Sequence, residues 1–130
     1  EKLVREVPAA IEASECVVAV VDERFGALPP ALQSYLQTHF KPWSGNVLLW
    51  GADFPVAGGE LEAVFNANRS GAYRVLPAEV ASGGGLVIDG RPVAGEVVEL
   101  ARGAHAVAYR GSAGGFRLQW LPGDRRFAAR

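Results

Sequence analysis

The sequence lacks methionine altogether and has a single cysteine, Cys16, among its 130 residues. One cysteine cannot form a disulfide within the chain, and its place in the run ECVVAVVD favours a small buried residue over a nucleophile. No apolar run approaches the roughly 20 residues of a membrane-spanning helix, and no signal peptide is present. Because a natural chain begins with methionine, we expect a processed or excised piece of a longer protein.

The chain also lacks an excess of positive charge, since its formal net charge is −1. This balance argues against general affinity for nucleic acid, which usually requires a strongly basic surface. The charge is nevertheless uneven: residues 1–65 carry four Lys or Arg and nine Asp or Glu, whereas residues 66–130 carry nine Arg and five Asp or Glu. Such asymmetry indicates two units or two faces of opposite sign.

Few residues could carry catalysis or bind a metal. His39 and His105 have no cysteine or acid at ligand spacing, so we predict neither a metal site nor a cofactor. Asp22 and Glu23 follow a predicted strand, where α/β folds often place functional acids, and they are the candidate groups of a small hydrolase. No partner base or phosphate loop accompanies them. We therefore predict that this chain is not an enzyme and has no catalytic residues.

The first third of the chain alternates between helix and strand patterns. Apolar spacing predicts helices over 2–14 and 29–40, the second beginning at a pair of prolines. The β-branched run 16–22 reads as a strand covered on both faces, and 46–51 as another short buried strand. We interpret residues 1–52 as a small α/β unit.

From residue 60 onward the apolar period becomes two, most clearly where Phe116, Leu118 and Trp120 alternate with polar residues. Turn signals recur about every 10–12 residues, as in antiparallel sandwiches and jelly rolls. We predict an α+β fold in which a β-sandwich or jelly-roll-like domain over 60–122 follows the α/β unit. The joint falls in the Gly- and Pro-rich stretch 51–59, and 123–130 forms a basic tail.

The glycine-rich stretch GGGLVIDGRPVAG (83–95) could cradle a phosphate or form a hairpin. It lacks the Lys-Ser/Thr ending of a phosphate loop, and a strand pattern follows where a helix is needed. Asp89-Gly90 between two apolar runs is the strongest short signal for a tight hairpin turn. We therefore predict a turn.

Candidate binding residues are aromatic or basic. Trp50 and Trp120 lie in strand patterns and more often fill a core, whereas Trp43, between a proline and a serine, is the candidate for an exposed ring that stacks on a sugar. Arg125 and Arg126 in the tail are candidates for contacting acidic lipid headgroups or phosphosugars. A glycosylation sequon over 68–70 falls in a predicted turn, where asparagine is favoured in any case.

Two stretches resemble known families. FGALPPALQSYLQTHFKPWSGNVLLWG (25–51) resembles the extracytoplasmic segment that follows the last membrane helices of bacterial dolichyl-phosphate-mannose-type glycosyltransferases. SGAYRVLPAEVASGGGLVIDGRPVAGEVVELARGAHAVAYRG (70–111) is similar to a β-sandwich pattern of protective-antigen-type accessory domains. The transferase resemblance implies that the catalytic acids lie in an N-terminal portion absent here. The sandwich resemblance implies sugar contacts through consecutive acids on a metal, and this chain has no Asp-Asp pair there.

These observations lead to two hypotheses of different class. The first is a non-catalytic extracytoplasmic C-terminal domain of a polytopic, glycosyltransferase-type membrane protein on the periplasmic face of a bacterial inner membrane. It would bind a glycan, a polyprenyl-phosphate sugar or a protein partner, and reach the membrane through the rest of the parent chain. The alternative is a free-standing carbohydrate-binding β-sandwich module.

Overall fold

The structure is a computed structural model that describes residues 2–123, within which three short α-helices and ten strands form. In chain order the elements are α1 (Lys2–Ala13), β1 (Val18–Val20), a 3-10 turn (Phe25–Ala27), α2 (Pro30–His39), β2 (Phe40–Ser44), β3 (Val47–Pro55), β4 (Glu60–Ala67), β5 (Gly71–Leu76), α3 (Ala78–Ser82), β6 (Leu86–Ile88), β7 (Arg91–Pro92), β8 (Val97–Leu100), β9 (Gly103–Arg110) and β10 (Gly115–Trp120). None of the helices within this range combines the length and the apolar content that a bilayer crossing requires.

The strands form two antiparallel sheets. The large sheet has six strands in the order β1-β3-β10-β5-β8, with β2 also paired to β3. The small sheet has four strands in the order β4-β9-β6-β7, and its longest pairing joins β4 to β9 over the full length of both strands. The predicted α+β class with an antiparallel, sandwich-like sheet structure is therefore confirmed.

The hydrophobic core lies between the sheets, because period-two strands direct alternate side chains to one face. Phe54 and Phe116 of the large sheet stack with ring centroids 5.2 Å apart, and Phe54 meets Phe65 of the small sheet at 6.2 Å. The predicted alternation in β10 holds over its first half, since Phe116 and Leu118 are buried, but Gln119 is buried as well and Trp120 is only half-buried. The same core cluster includes Phe40, next to α2.

The stretch predicted to join the two units is partly a strand. Residues 51–55 continue β3 and pair with β10, while Gly58 and Gly59, both at positive φ, form the turn into β4. Gly51 is required in the strand because a Cβ there would lie 2.5 Å from the carbonyl oxygen of Leu118. From the sequence alone, a glycine that allows two strands to approach closely, such as Gly51, looks the same as a glycine in a linker. The division into units at 1–52 and 60–122 stays a prediction.

The strand predicted over 16–22 is shorter and less covered than expected. β1 spans three residues at one edge of the large sheet, antiparallel to β3, and Val20 is 67% exposed. A β-branched run is typical of a strand buried on both faces, but an edge position leaves its outer side in solvent. Only Val17, just before the strand, is fully buried.

The predicted hairpin at Asp89-Gly90 is confirmed. Both residues have positive φ, +52° and +79°, as a two-residue type I′ turn requires, and β6 pairs with β7 on either side of them. Asp89 also binds the neighbouring strand: its backbone amide donates to Ala106 O at 2.8 Å, and its carboxylate accepts from Ala106 N at 2.9 Å. The turn is thereby attached to β9.

Candidate functional site

The outer face of the large sheet, which points away from the core, carries the candidate site. In β3 and β10 the residues that alternate with the buried Phe54 and Leu118 point outward, and the strand register sets Asp53 opposite Arg117. On the other side of β10, Arg117 lies opposite Leu76 of β5. A charged pair thus lies on the outer face of the sheet, with the apolar side chain of Leu76 beside it.

Three charged groups meet at this position. Arg117 donates to both carboxylate oxygens of Asp53, from Nε at 2.6 Å and from Nη2 at 3.3 Å, and Lys41 Nζ lies 3.5 Å from Asp53 Oδ2. The hydrogen bond from Arg117 is the main cause that lowers the pKa of Asp53, aided by both positive charges and opposed by burial. The cluster therefore holds one ionised carboxylate between two cations.

Lys41 is held in place by backbone contacts at the start of β2. Its Nζ donates to Gln37 O at 2.8 Å, in the last turn of α2, and the residue is only 9% exposed. Gln119 of β10, 2% exposed, donates from Nε2 to Lys41 O and to Pro42 O, each at 3.0 Å. A buried lysine of this kind follows from the packing of α2 against the sheet, and no signal in the sequence distinguishes it.

Two shallow cavities share Asp53 and Arg117, and together we call them the outer groove. The first, about 650 Å³, has walls formed mainly by apolar residues: Phe54, Pro55, Leu76, Pro77 and Phe116. The second, about 390 Å³, lies on the side of α2 and is also mainly apolar: Val21, Phe25, Phe40, Pro42 and Leu48. The outer groove is thus an apolar surface interrupted by one charged cluster.

The outer face carries a small excess of positive charge. Arg74 of β5 lies opposite Gln119, diagonal to Arg117, and its guanidinium makes no hydrogen bond or ion pair with any of residues 2–123. Strands β2, β3, β5, β8 and β10 contribute three cations and two carboxylates to this face: Lys41, Arg74, Arg117, Asp53 and Glu99. An anion would therefore be attracted here, and no donor of Arg74 is used by another residue in the described range.

The residues proposed from the sequence for binding lie near this groove or outside the described range. Trp43 is half-buried in β2, directly after Pro42 of the outer groove. The proline and serine beside Trp43 predicted an exposed ring. The side chain is instead half-buried, because β2 pairs with β3. Arg125 and Arg126 lie outside the described residues, so their contacts with an acidic ligand stay a prediction.

The two acids considered for catalysis lie in the turn after β1. Asp22 accepts from the backbone amide of Arg24 at 2.8 Å and from its guanidinium at 3.1 Å, which is the chemistry of a turn-stabilising aspartate. Glu23 beside it is exposed. The structure therefore gives Asp22 a local structural role.

The histidines occupy two separate environments. His39 stacks on Trp50, whereas His105 lies 2.6 Å from Asp89 Oδ2 through Nδ1 and 2.6 Å from Ala101 O through Nε2. Within residues 2–123 no three His, Cys, Asp or Glu side chains come together in a way that could hold a metal ion. The partner of His105 was missed from the sequence because 16 residues separate the two side chains.

Most of the aromatic side chains and the sequon asparagine are buried. Trp50, expected in the core, is buried, as are Tyr73 and Tyr109, while Trp120 is half-buried. Asn68 is also buried, and its Nδ2 donates to Ile11 O and Cys16 O at 3.1 and 2.7 Å. The amide nitrogen that glycosylation would modify is thus committed to joining α1 to the sheets.

Comparison of the chain with protein-family models, with curated proteins and with solved structures gave no match. The site is therefore interpreted from its own geometry and chemistry.

Proposed function

We propose that this chain is a non-catalytic extracytoplasmic domain from the C-terminal part of a polytopic, glycosyltransferase-type bacterial membrane protein. Its role is to bind an apolar, phosphate-bearing ligand, of which a polyprenyl-phosphate sugar is the example, and to present it to the membrane-embedded part of the parent chain. The observation that carries this proposal is the meeting of Lys41 and Arg117 with two apolar cavities at one position of the outer groove.

The two parts of such a ligand match two parts of the groove. A prenyl chain gains roughly 0.8 kcal/mol for each methylene that it buries, and the walls formed by Pro55, Leu76 and Pro77 offer that apolar surface. A phosphate prefers the planar donor fork of arginine, which Arg117 and Arg74 present on adjacent strands. Asp53 opposes the phosphate, so we expect weak binding by the isolated domain.

The alternative hypothesis, a free-standing carbohydrate-binding module, is compatible with the same sandwich-like fold. Such modules stack exposed aromatic rings on sugars. In the described part of this chain Trp50, Tyr73 and Tyr109 are buried, which leaves that mode of binding little surface. The outer groove combines cations with apolar walls, so it favours a ligand that has both a phosphate and an apolar chain.

A titration of the ¹⁵N-labelled chain with a water-soluble, short-chain polyprenyl-phosphate mannose tests the proposal. We expect chemical-shift changes at Asp53, Phe54, Leu76 and Arg117. Two partial probes, the same prenol without phosphate and inorganic phosphate without the chain, separate the apolar from the anionic contribution. Each alone should bind more weakly than the complete ligand.

Arg117→Gln is the test variant and Arg91→Gln the matched control, since Arg91 lies exposed on β7 of the other sheet. Loss of binding in the first variant with retention in the second supports the groove. Equal binding by both variants, or shifts spread over the whole surface, contradicts it.

The absence of catalysis is tested separately. Turnover of a glycoside or ester substrate by the purified chain, abolished by Asp22→Asn or Glu23→Gln, would overturn the non-enzymatic interpretation and leave the groove without the proposed role.

A further inference from the structure

A further cavity lies where α1 and α2 meet β3, β4 and β9, and we call it the helix-side pocket. It has a volume of about 250 Å³, and Glu12, His39, Trp50, Asn68 and Arg102 are among its lining residues. None of these residues belongs to the outer groove. The helix-side pocket is therefore a separate feature with its own chemistry.

Asn68 places an unsatisfied acceptor in this pocket. Its two amide hydrogens point to the carbonyls of Ile11 and Cys16, which identifies the other side-chain atom as Oδ1. Oδ1 has no hydrogen-bond partner within residues 2–123, although Asn68 is only 5% exposed. Within residues 2–123 every fully buried side-chain oxygen has a hydrogen-bond partner. Because Oδ1 has none, it is not fully buried, and it lies at the surface of the pocket that Asn68 lines.

His39 contributes a ring whose nitrogens are also available. The imidazole packs between Tyr35 at 4.5 Å and Trp50 at 4.8 Å, and neither nitrogen has a hydrogen-bond partner among the described residues. Burial lowers the pKa of His39, so the ring is uncharged near neutral pH. It then presents one donor and one acceptor.

Glu12 and Arg102 bring opposite charges to the rim of the pocket. Glu12 Oε2 accepts from the hydroxyl of Tyr35 at 2.7 Å, which leaves Oε1 unused within the described range. Arg102 donates to the backbone oxygen of Glu12 and lies 3.5 Å from Glu15 Oε2. The carboxylates oppose an anionic ligand, and the guanidinium opposes a cationic one.

Size and charge together select the ligand class. The cavity is smaller than the roughly 300–1,000 Å³ of typical drug-sized sites, so it admits one small molecule. Its surface offers acceptors on Asn68 and Glu12 and a donor on Arg102, and Trp50 contributes to its apolar lining. Hydroxyl groups both donate and accept, and an uncharged ring meets no repulsion. We infer that the helix-side pocket binds one uncharged, hydroxyl-rich ring, such as a single sugar unit.

This inference goes beyond the proposed function, because it concerns a different cavity and does not depend on a membrane or on phosphate. Two different NMR signals distinguish binding at the helix-side pocket from binding at the outer groove. The indole N–H of Trp50, which donates to Asn66 O at 2.8 Å beside the pocket, reports on the helix-side pocket, and the amide of Arg117 reports on the outer groove.

The experiment is a titration of the ¹⁵N-labelled chain with D-glucose, D-mannose and D-galactose, with glucose 6-phosphate as the anionic comparison. We expect saturable shifts of the Trp50 indole and of the Arg102 and Gly103 amides, with Kd on the order of 1 mM for at least one sugar. Glucose 6-phosphate should bind more weakly because Glu12 and Glu15 repel it.

Two variants and one control complete the test. His39→Phe preserves a ring on Trp50 but removes both nitrogens, and Arg102→Gln removes the charged donor. Each should weaken binding about tenfold, the effect of one or two lost hydrogen bonds. Arg110→Gln, at the far end of β9 from Arg102 and with its side chain 83% exposed, should bind as the wild type does.

Three outcomes overturn the inference. The first is the absence of saturable shifts with all three sugars, and the second is tighter binding of glucose 6-phosphate at the same reporters. The third is equal affinity of His39→Phe and Arg110→Gln. His39→Phe keeps the test valid if Arg102→Gln fails to fold.

Discussion

The outer groove and the helix-side pocket differ in almost every physical respect, yet one device stabilises both. The groove is open, mainly apolar and slightly cationic, whereas the pocket is small, polar and contains a carboxylate. In each case a buried carboxamide from a strand region in the second half donates two hydrogen bonds to carbonyls in the first third. Gln119 does so below Lys41, and Asn68 below α1. Cavities of opposite chemistry thus rest on the same kind of attachment.

The largest expected effect comes from removing these carboxamides. Asn68→Ala and Gln119→Ala each remove two hydrogen bonds, worth about 0.5–1.5 kcal/mol apiece, and a buried carbonyl that loses its partner costs about 1–3 kcal/mol. Ile11 O still accepts from Cys16 N at 3.0 Å, so Cys16 O carries most of the loss in Asn68→Ala. We expect each variant to lose about 2–4 kcal/mol of unfolding free energy, measured by urea denaturation. Asn66→Ala and Gln37→Ala, both at exposed positions, are the matched controls and should change little. Equal losses of unfolding free energy in the variants and in the controls would show that the carboxamide hydrogen bonds do not stabilise the two sites.

A change in the Asp89-Gly90 turn should affect stability without affecting either cavity. Gly90 has φ of +79° and open space around its Cα, so Gly90→Val is strained by backbone conformation alone, at about 1–3 kcal/mol. The melting temperature should fall by several degrees while shifts at Arg117 and at the Trp50 indole stay unchanged. Gly95→Val, where a Cβ meets nothing within 4 Å, is the control. A similar fall in both variants would mean that valine itself, and not positive φ, is responsible.

The pH dependence of stability should separate the two sites. Burial alone would lower the pKa of His105, but hydrogen bonds to Ala101 O and Asp89 outweigh it and raise the pKa above its ordinary 6.5. Both nitrogens face acceptors, so the charged ring fits best. Its contribution to stability is fully present below pH 6.5 and is lost as pH rises through the raised pKa.

Ala101 precedes Arg102 in the turn before β9, so loosening this turn should reach the helix-side pocket. Above pH 6.5 the wild type should lose stability as pH rises through the raised pKa of His105, and the amide signals of Arg102 and Gly103 should follow the titration of His105 while the amide of Arg117 does not. His105→Gln should abolish this pH dependence. If the variant retains it, another group is responsible.

The smallest expected effect concerns the groove alone. Asp53→Asn removes the carboxylate between Lys41 and Arg117. The Asp53 side chain is half exposed, and Lys41 Nζ keeps its hydrogen bond to Gln37 O, so we expect a stability loss of only about 1 kcal/mol. Binding of the polyprenyl-phosphate probe should instead become tighter because the cations lose their internal competitor. Glu62→Gln on the small sheet is the control. Weaker binding by Asp53→Asn would show that Asp53 orients the ligand's donors, and it would contradict the anionic preference.

The fold could be predicted from local pattern to a large extent, whereas the cavities could not. The alternating apolar pattern of the strands after residue 60 and the Asp89-Gly90 pair act over a few residues, and the antiparallel strands and the tight turn that they predict are confirmed. The expected linker was misassigned over 51–55, because Gly51 reflects contact with Leu118, a residue far along the chain. Of the residues proposed for binding, Trp43 lies beside the groove, and Arg125 and Arg126 lie outside the described range.

By itself the sequence determined α1, α2, the alternation of the strands after residue 60 and the tight turn, since these depend on residues close together in the chain, whereas the short helix α3 was not predicted. It also limited the candidate chemistry, with one cysteine and two histidines in 130 residues. Only the tertiary structure decided that Asp53 meets Arg117 across 64 positions and that Asn68 meets Ile11 across 57. Such partners are set by sheet register and helix packing, and because many registers satisfy one hydrophobic pattern, the pattern does not encode which polar groups come together.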